Sequence, residues 1–265
     1  QFSGAETCRM RSDVIDYLIR VLWEESVAAL EPEVRAKLNI SVVAHGGYGR
    51  RVMSPGSDVD LTFMFPGNSG KVTKEVAKLI GDFLLFLYNL NFKVGHGARS
   101  VGECLVLANE SMETKTALME ARFLTGQKQA FEEFRERFDK ECMKGREEDF
   151  LLARQEDLAK RHAKYEGTPF VQEPHVKNGC GGLRDYQNLI WMSYARLGTL
   201  NPKDLIAGGY IAKSSWQEIE KAYAFILRVR NEMHYTERRA NDLLTLRLQG
   251  QVATNLGYRH KRILR

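Results

Sequence analysis

Two glycines followed by two aspartates are the residues of this sequence whose spacing could support chemistry. Asp58 lies eleven positions after Gly47, in the run Ser57-Asp58-Val59-Asp60. Side chains alternate between the two faces of a strand, so Asp58 and Asp60 are predicted to place both carboxylates on one face. Two like charges held together need a neutralising cation. Paired carboxylates suit Mg²⁺, which completes its shell with waters or substrate phosphates.

The glycines supply the second half of the pattern. Gly46 and Gly47 follow a short apolar segment, and a glycine turn lets the backbone come close to a ligand. Its N–H groups could hold a triphosphate beside the metal. A lone Gly-Gly turn or a lone Asp-x-Asp is usually a plain turn or a solvated strand end. Their combination between two apolar strands favours phosphoryl or nucleotidyl transfer.

The elements that must position these residues follow from hydrophobic periodicity. The patterns predict strands over 38–44, 59–65 and 92–96, and helices over 9–30, 71–89, 114–142, 147–165, 183–197 and 215–239. Strand patterns disappear after about residue 110. We therefore expect an α+β protein, in which a small mixed sheet flanked by helices, with an N-terminal helix, occupies 1–112. An all-α helical domain is expected over 113–265.

Composition excludes several classes of protein. The 265 residues are 43% apolar and 28% charged, which is typical of a globular protein. Their longest apolar stretch, 79–90, is too short and too polar for a membrane span. A net charge of 39 − 34 = +5 is spread along the chain, so a nucleic-acid-binding surface is not predicted. No export signal precedes the first charged residues, so we expect a cytoplasmic location. Four widely spaced cysteines predict neither a disulfide framework nor a zinc site.

Several motifs together resemble one enzyme family. The run HGGYGRRVMSPGSDVDL, at 45–61, is similar to the signature of DNA polymerase β-like nucleotidyltransferases, and its longer form to PII uridylyltransferase (uridylyl-removing) enzymes. The segments that resemble that family in the same order are ALMEARFLTG at 117–126, EPHVKNGCGGLRD at 173–185 and LRVRNEMH at 227–234. The resemblance implies a polymerase β-like nucleotidyltransferase domain followed by helices.

The resemblance also implies an activity. Members of that family transfer UMP from UTP to a tyrosine of the trimeric PII signal protein and release pyrophosphate. Carried over, Asp58 and Asp60 would bind Mg²⁺, and Gly46 and Gly47 would hold the triphosphate. The other residues that the resemblance places at phosphate or nucleotide are Arg50, Ser57, Lys177 and Arg184. For the Gly-Gly-Leu-Arg-Asp loop, a turn that caps the following helix is an equal alternative. Arg228, Arg230 and Asn231 could contact the triphosphate or form salt bridges on their helix.

One departure from the family pattern bears on activity. A third carboxylate is expected just before Val94-Gly95-His96, and Lys93 occupies that position. Either the third acid lies elsewhere, with Asp82 and Glu103 nearby in sequence, or two acids suffice, or the chain is impaired. The alternatives to PII uridylylation are therefore another acceptor or nucleotide on the same fold, and a catalytically weak nucleotide-binding regulatory module.

The resemblance also sets expectations about extent. No segment matches the HD-type phosphohydrolase domain or the glutamine-sensing ACT domains of the family, so we expect the transferase part of a longer protein. The family has a longer run where Tyr258 meets Arg259 here, which predicts residues missing between them.

Overall fold

The computed structural model describes residues 3–70 and 72–258. The chain divides into two compact units. A sheet unit comprises Arg9–Met53 and Ser57–Arg146, and a helical unit comprises Gln1–Cys8, Ser54–Gly56 and Glu147–Arg265. The junction of Tyr258 with Arg259 lies outside the described residues. No helix among the described residues is long and apolar enough to cross a bilayer.

The sheet unit holds four strands and most of the shorter helices. Its strands are β1 (Ser41–Ala44), β2 (Val59–Phe65), β3 (Val94–Ser100) and β4 (Arg122–Gly126). Its helices are α1 (Gly4–Ala28, whose first residues belong to the helical unit), α2 (Pro32–Ala36), α3 (Gly46–Gly49), α4 (Lys74–Asn89), α5 (Val101–Glu110), α6 (Met112–Met119) and α7 (Gln129–Phe138), with a π-helix at Asp139–Met143.

The strands form one mixed sheet in the order β3-β2-β1-β4. β1 is antiparallel to both β2 and β4, and β2 is parallel to β3. This small mixed sheet flanked by helices, followed by a helical unit, confirms the predicted fold class. The core under one face of the sheet joins Trp23 of α1, Phe63 of β2 and Phe83 of α4, whose ring centroids lie 5.5–5.8 Å apart.

β4 corrects the helix predicted over 114–142. The helical pattern ends at Met119, and Arg122–Gly126 pairs with β1 instead. β1 would otherwise expose a row of unpaired backbone groups at the edge of the sheet. The predicted domain boundary between 112 and 113 falls in the first turn of α6. The sheet unit continues past it to Arg146 and includes β4.

The helical unit is built from α8 (Glu147–Lys164), α9 (Leu183–Leu197), α10 (Pro202–Ala207), α11 (Lys213–Glu237) and α12 (Leu246–Asn255). α9 packs against α8, α10 and α11, and α12 packs against α11. Its apolar clusters form around Trp216 and Ile190, and around Met233 and Leu248. Asp185, in the first turn of α9, accepts hydrogen bonds from Gly181 N at 2.7 Å and Arg161 Nη2 at 2.6 Å. The carboxylate therefore secures the glycine loop that precedes α9.

Candidate active site

The glycine turn and the aspartates meet at one end of the two central strands of the sheet. β1 ends at Ala44 and β2 begins at Val59, and Ala44 pairs with Leu61 in the antiparallel register. The peptide N–H of His45 donates to the carbonyl of Asp60 at 3.2 Å. The turn that follows β1 therefore lies directly beside the start of β2, as the spacing of the motif predicts.

Asp60 is partly buried and lies next to two glycines, Gly46 and Gly95. A Cβ added to Gly95 of β3 would lie 2.6 Å from Oδ1 of Asp60, and one added to Gly46 would lie 3.5 Å from Oδ2. In the parallel register Asp60 pairs with Gly95 and lies on the same face of the sheet. A side chain at Gly95 would therefore clash with Oδ1 of this carboxylate.

Asp58 immediately precedes β2 and is exposed, and Ser57 is partly exposed. Two carboxylates within three residues form a donor set that suits Mg²⁺ better than zinc or copper, since all the protein ligands are oxygens. No group of three or more acidic, histidine or cysteine side chains that could enclose a metal occurs among the described residues. A cation at this site would take its remaining ligands from water or substrate.

The glycine turn is a short helix, α3, with unusual backbone geometry. Gly46 has φ +56°, a conformation that side chains with a Cβ rarely adopt. The first hydrogen bond of the turn runs from Gly49 N to His45 O at 3.0 Å. The N–H groups of Gly46, Gly47 and Tyr48 precede that bond, so the turn does not use them. They are suited to donate hydrogen bonds to phosphate oxygens.

Arg122 of β4 holds this turn through hydrogen bonds to its backbone carbonyls. Its Nε donates to Gly49 O at 3.1 Å and its Nη2 to Tyr48 O at 3.2 Å. Its guanidinium also binds the buried Asp16 of α1 through two hydrogen bonds, of 2.6 and 3.0 Å. Neither Arg122 nor Asp16 was predicted as a residue of the site. The Glu-Ala-Arg of the motif at 117–126 is the signal that could have found Arg122.

Arg50 lies at the end of α3 and forms an ion pair with the buried Glu120. Its Nη2 would lie 3.7 Å from a Cβ on Gly47, so its guanidinium borders the glycine turn. Burial lowers the pKa of His45 to about 4, against the raising effect of its hydrogen bond to the Leu61 backbone. The imidazole beside the turn is therefore neutral at pH 7.

Lys177 and Arg184 belong to the helical unit. Arg184 N donates to Lys177 O at 2.8 Å, and the Arg184 guanidinium lies 5.2 Å from the ring centroid of the buried Trp191. Their roles at the nucleotide stay predictions. Arg228 and Arg230 are engaged within this unit, with Leu256 O at 3.0 Å and with Asp242 at 2.6 Å.

Neither acid suggested as a third ligand lies with the pair. Glu103 and Ser100 form the capping box of α5 at the far end of β3, five residues or about 17 Å along the strand from Gly95. Asp82 is exposed on α4, a helix that packs on the sheet face of Leu61 and Phe63, opposite to that of Asp60. Lys93 itself is exposed, and its carbonyl accepts the N–H of Val59 at 2.8 Å.

The structure therefore brings the glycine turn of the motif next to the strand that carries Asp60. Residues 149–263 match the family model described as GlnD PII-uridylyltransferase. Over 219 residues, 83% of its length, the chain is 39% identical to the bifunctional uridylyltransferase/uridylyl-removing enzyme of Cereibacter sphaeroides. The chain belongs to the PII-uridylyltransferase family, a family of nucleotidyltransferase enzymes. It spans about a quarter, 23%, of the length of that relative.

Proposed function

We propose that this chain transfers UMP from UTP to a tyrosine of the PII signal protein, with Mg²⁺ as cofactor and release of pyrophosphate, in the cytoplasm. The observation that carries the proposal is the Asp60 carboxylate, which lies between Gly46 and Gly95 beside the glycine turn. Family membership supports the transferase class, and the descriptions of the family and of the relative support uridylyl transfer and PII.

Each residue of the site has a distinct part in the proposal. Asp58 and Asp60 would hold the metal, which when bound neutralises charge on the α-phosphate and the leaving pyrophosphate. The N–H groups at the start of α3 would bind phosphate oxygens, with Ser57 and Arg50 as further contacts. Arg122 keeps the turn in place through its hydrogen bonds to Tyr48 and Gly49. A fixed phosphate leaves the attacking tyrosine oxygen in line with the leaving group.

The test is UMP transfer to purified PII from each α-labelled nucleoside triphosphate in separate reactions with Mg²⁺. We expect label from UTP, and a loss of at least about 100-fold in Asp58→Asn and Asp60→Asn, whose fold should be unchanged by circular dichroism. Label from another nucleotide, or transfer that survives both substitutions, would contradict the proposal.

Lys93 favours a second candidate, a nucleotide-binding regulatory module with weak catalysis. Its backbone pairs with Val59, between the two aspartates, where a third acid would complete the metal site. Lys93→Asp separates the two candidates. An increase in transfer of tenfold or more in the variant would mean that the lysine impairs catalysis, whereas an unchanged or lower rate would mean that two acids suffice.

A further inference from the structure

The strand β3 lies at one side of the sheet, with β2 as its only neighbour in the strand order of the described residues. Val59 N donates to Lys93 O at 2.8 Å, and Val59 pairs with Val94 in the parallel register. The odd-numbered residues of β3 therefore use their backbone groups toward β2. The N–H and C=O groups of Val94, His96 and Ala98 point away from β2. They form no hydrogen bond with another residue that the structure describes, and we call this row the open edge.

The open edge lacks the features that usually prevent a strand from pairing with another chain. β3 has seven residues, Val94–Ser100, without a proline and without a bulge in its pairing with β2. Exposed cations occur only at its two ends, at Lys93 and Arg99. Between them His96 and Ala98 are exposed and the other residues are glycines or half-buried. A long edge strand of this kind is a template for a further strand.

The open edge adjoins the carboxylate of Asp60. Asp60 pairs with Gly95, and a Cβ on Gly95 would lie 2.6 Å from Oδ1 of Asp60, so the carboxylate leans over β3. On an added strand, the residue opposite Gly95 would place its side chain on the same face, with its Cβ about 5 Å from that of its cross-strand neighbour. Because Gly95 carries no side chain, no side chain at that position would separate the added residue from Asp60.

We propose that the segment around the acceptor tyrosine, here called the acceptor segment, binds as an added strand along the open edge, with its tyrosine opposite Gly95. The tyrosine then lies on the face of the sheet that carries Asp60. Main-chain hydrogen bonds to Val94, His96 and Ala98 give the affinity, and the register of the added strand sets the place of the tyrosine. This inference deepens the proposed function and rests on it, because it takes the acceptor to be a tyrosine of a protein.

Charge indicates the kind of acceptor segment that fits. Lys93 and Arg99 place one exposed cation at each end of the open edge. The guanidinium of Arg99 lies beside Gly97, on the face that carries Asp60, and forms no ion pair with a residue that the structure describes. We therefore expect the acceptor segment to carry an acidic residue near its tyrosine, since complementary charge speeds encounter and fixes register.

Hydrogen exchange of single amides tests the added strand directly. The parent protein is mixed with PII and a UTP analogue that has a methylene bridge between its α- and β-phosphates, so that the complex forms without transfer. We expect exchange at His96 and Ala98 to slow at least about tenfold. The amides of Gly95 and Arg99 are the internal control, because they point toward β2 and should change little.

Substitutions at the open edge provide an independent test. Ala98→Pro removes one outward donor and leaves the ladder to β2 intact. We expect the KM for PII to rise at least about tenfold, with unchanged Mg²⁺–UTP affinity by calorimetry, which also shows that the variant is folded. Ala98→Val adds bulk but keeps the N–H, so its KM should rise by less than about threefold. Arg99→Gln should raise the KM severalfold at low ionic strength and make it less sensitive to salt.

Several results would overturn the inference and leave the proposed function standing. They are UMP transfer to PII with unprotected His96 and Ala98, equal slowing at Gly95 and Arg99, and an unchanged KM in folded Ala98→Pro. Protection that needs no PII and grows with protein concentration would assign the open edge to a second copy of the chain instead. A parent that transfers no nucleotide to PII would refute both proposals, whereas transfer from a nucleotide other than UTP would refute the proposed function alone.

Discussion

The carboxylate of Asp60 can take its position at the start of β2 because the neighbouring Gly95 of β3 carries no side chain. Gly46 needs its positive φ for the turn, whereas Gly95 is an ordinary strand residue whose smallness matters for another reason. A methyl group on Gly95 would lie 2.6 Å from Asp60 Oδ1. The requirement at Gly95 is thus for space beside a carboxylate rather than for backbone freedom.

Gly95→Ala should therefore displace the Asp60 carboxylate while leaving the strand intact. We expect UMP transfer to fall on the order of 10- to 100-fold, because a displacement of about 1 Å at a reacting centre has costs of this size. Steady-state transfer with PII and UTP measures the effect, and thermal unfolding checks the fold.

Gly97→Ala is the matched control for that substitution. It lies two residues further along the same face of β3, and its new methyl group would meet Arg99 Nη1 at 2.2 Å. That atom is the end of a flexible side chain, which can move aside. We expect transfer within about threefold of the parent. Equal losses at both positions would mean that β3 tolerates no added methyl group, and would remove the special role of Gly95.

At this scale the sequence predicted the residues that are close together along the chain. Gly46, Gly47, Asp58 and Asp60 form one motif, and the structure places the turn beside β2. Arg122 and Asp16 were missed because they are 106 positions apart. A contact at that separation depends on the pairing of β4 with β1, and the pattern of β4 was interpreted as helical.

At the scale of elements, Arg122 connects β4, α1 and the glycine turn. Arg122→Met would leave Asp16, which is 1% exposed, with the more distant Arg51, at 3.5 Å, as its ion-pair partner. We expect the free energy of unfolding to fall by about 3 kcal/mol, since breaking a buried pair leaves an uncompensated charge. Urea unfolding measures it.

The double variant Arg122→Met/Asp16→Asn tests the reason for that loss. Removing the charge of Asp16 as well should raise the free energy of unfolding by about 1 kcal/mol or more relative to Arg122→Met. If the double variant is less stable than Arg122→Met, the loss arises from the carbonyls of Tyr48 and Gly49 rather than from the buried charge.

The contacts of Asp242 with Arg230 and His234 of α11 predict a dependence of stability on pH in the helical unit. Burial alone would raise the pKa of Asp242, but His234, Arg230 and Lys177 together hold it well below its ordinary value. A carboxyl whose pKa is lowered on folding stabilises the protein above about pH 4, its unfolded pKa, and loses that effect as the pH falls through the folded pKa.

Asp242→Asn should remove this contribution. Urea unfolding between pH 6 and pH 2.5 is expected to show a steeper loss of stability for the parent than for the variant below pH 4. Parallel curves for the two proteins would show that Asp242 does not contribute to acid unfolding.

Most elements with a clear period were predicted near their observed bounds. The helix expected over 71–89 is α4, which begins at Lys74 after the Thr73 cap, and the strand expected over 92–96 is β3, which continues to Ser100. The prediction for the residues of β4 was wrong because these five residues adjoin helical sequence on both sides. Their strand conformation depends on pairing with β1. The four-residue α3 is too short for any period to show.

At the scale of the whole molecule, the long segment between α8 and α9 has an exposed tip. Phe170 is 91% exposed, next to Pro169 and outside any helix or strand. Exposed loop tips are preferred sites of proteolysis. Brief chymotrypsin treatment should therefore cleave first after residue 170 of 265, giving fragments of roughly 19 and 11 kDa by proportion.

The two fragments should remain together on gel filtration, since α8 and α9 lie on opposite sides of the cut. Arg154 of α8 donates to Asn188 of α9 at 2.7 Å, and Arg161 donates to Asp185 at 2.6 Å. Mass spectrometry of the products identifies the bond that is cut. Phe170→Ala should slow the cleavage severalfold, and first cleavage elsewhere would contradict the prediction.

The helical unit gathers its residues from three separate parts of the chain, and this has a consequence for synthesis on the ribosome. Asn231 of α11 donates to the carbonyl of Gly4 at 3.2 Å, across 227 residues. At 5–20 residues per second, Asn231 is synthesised roughly 10 to 45 s after the first turn of α1, which contains Gly4. All of the sheet unit has been translated by Arg146, so it can fold on the nascent chain while the early segments of its neighbour stay exposed to chaperones.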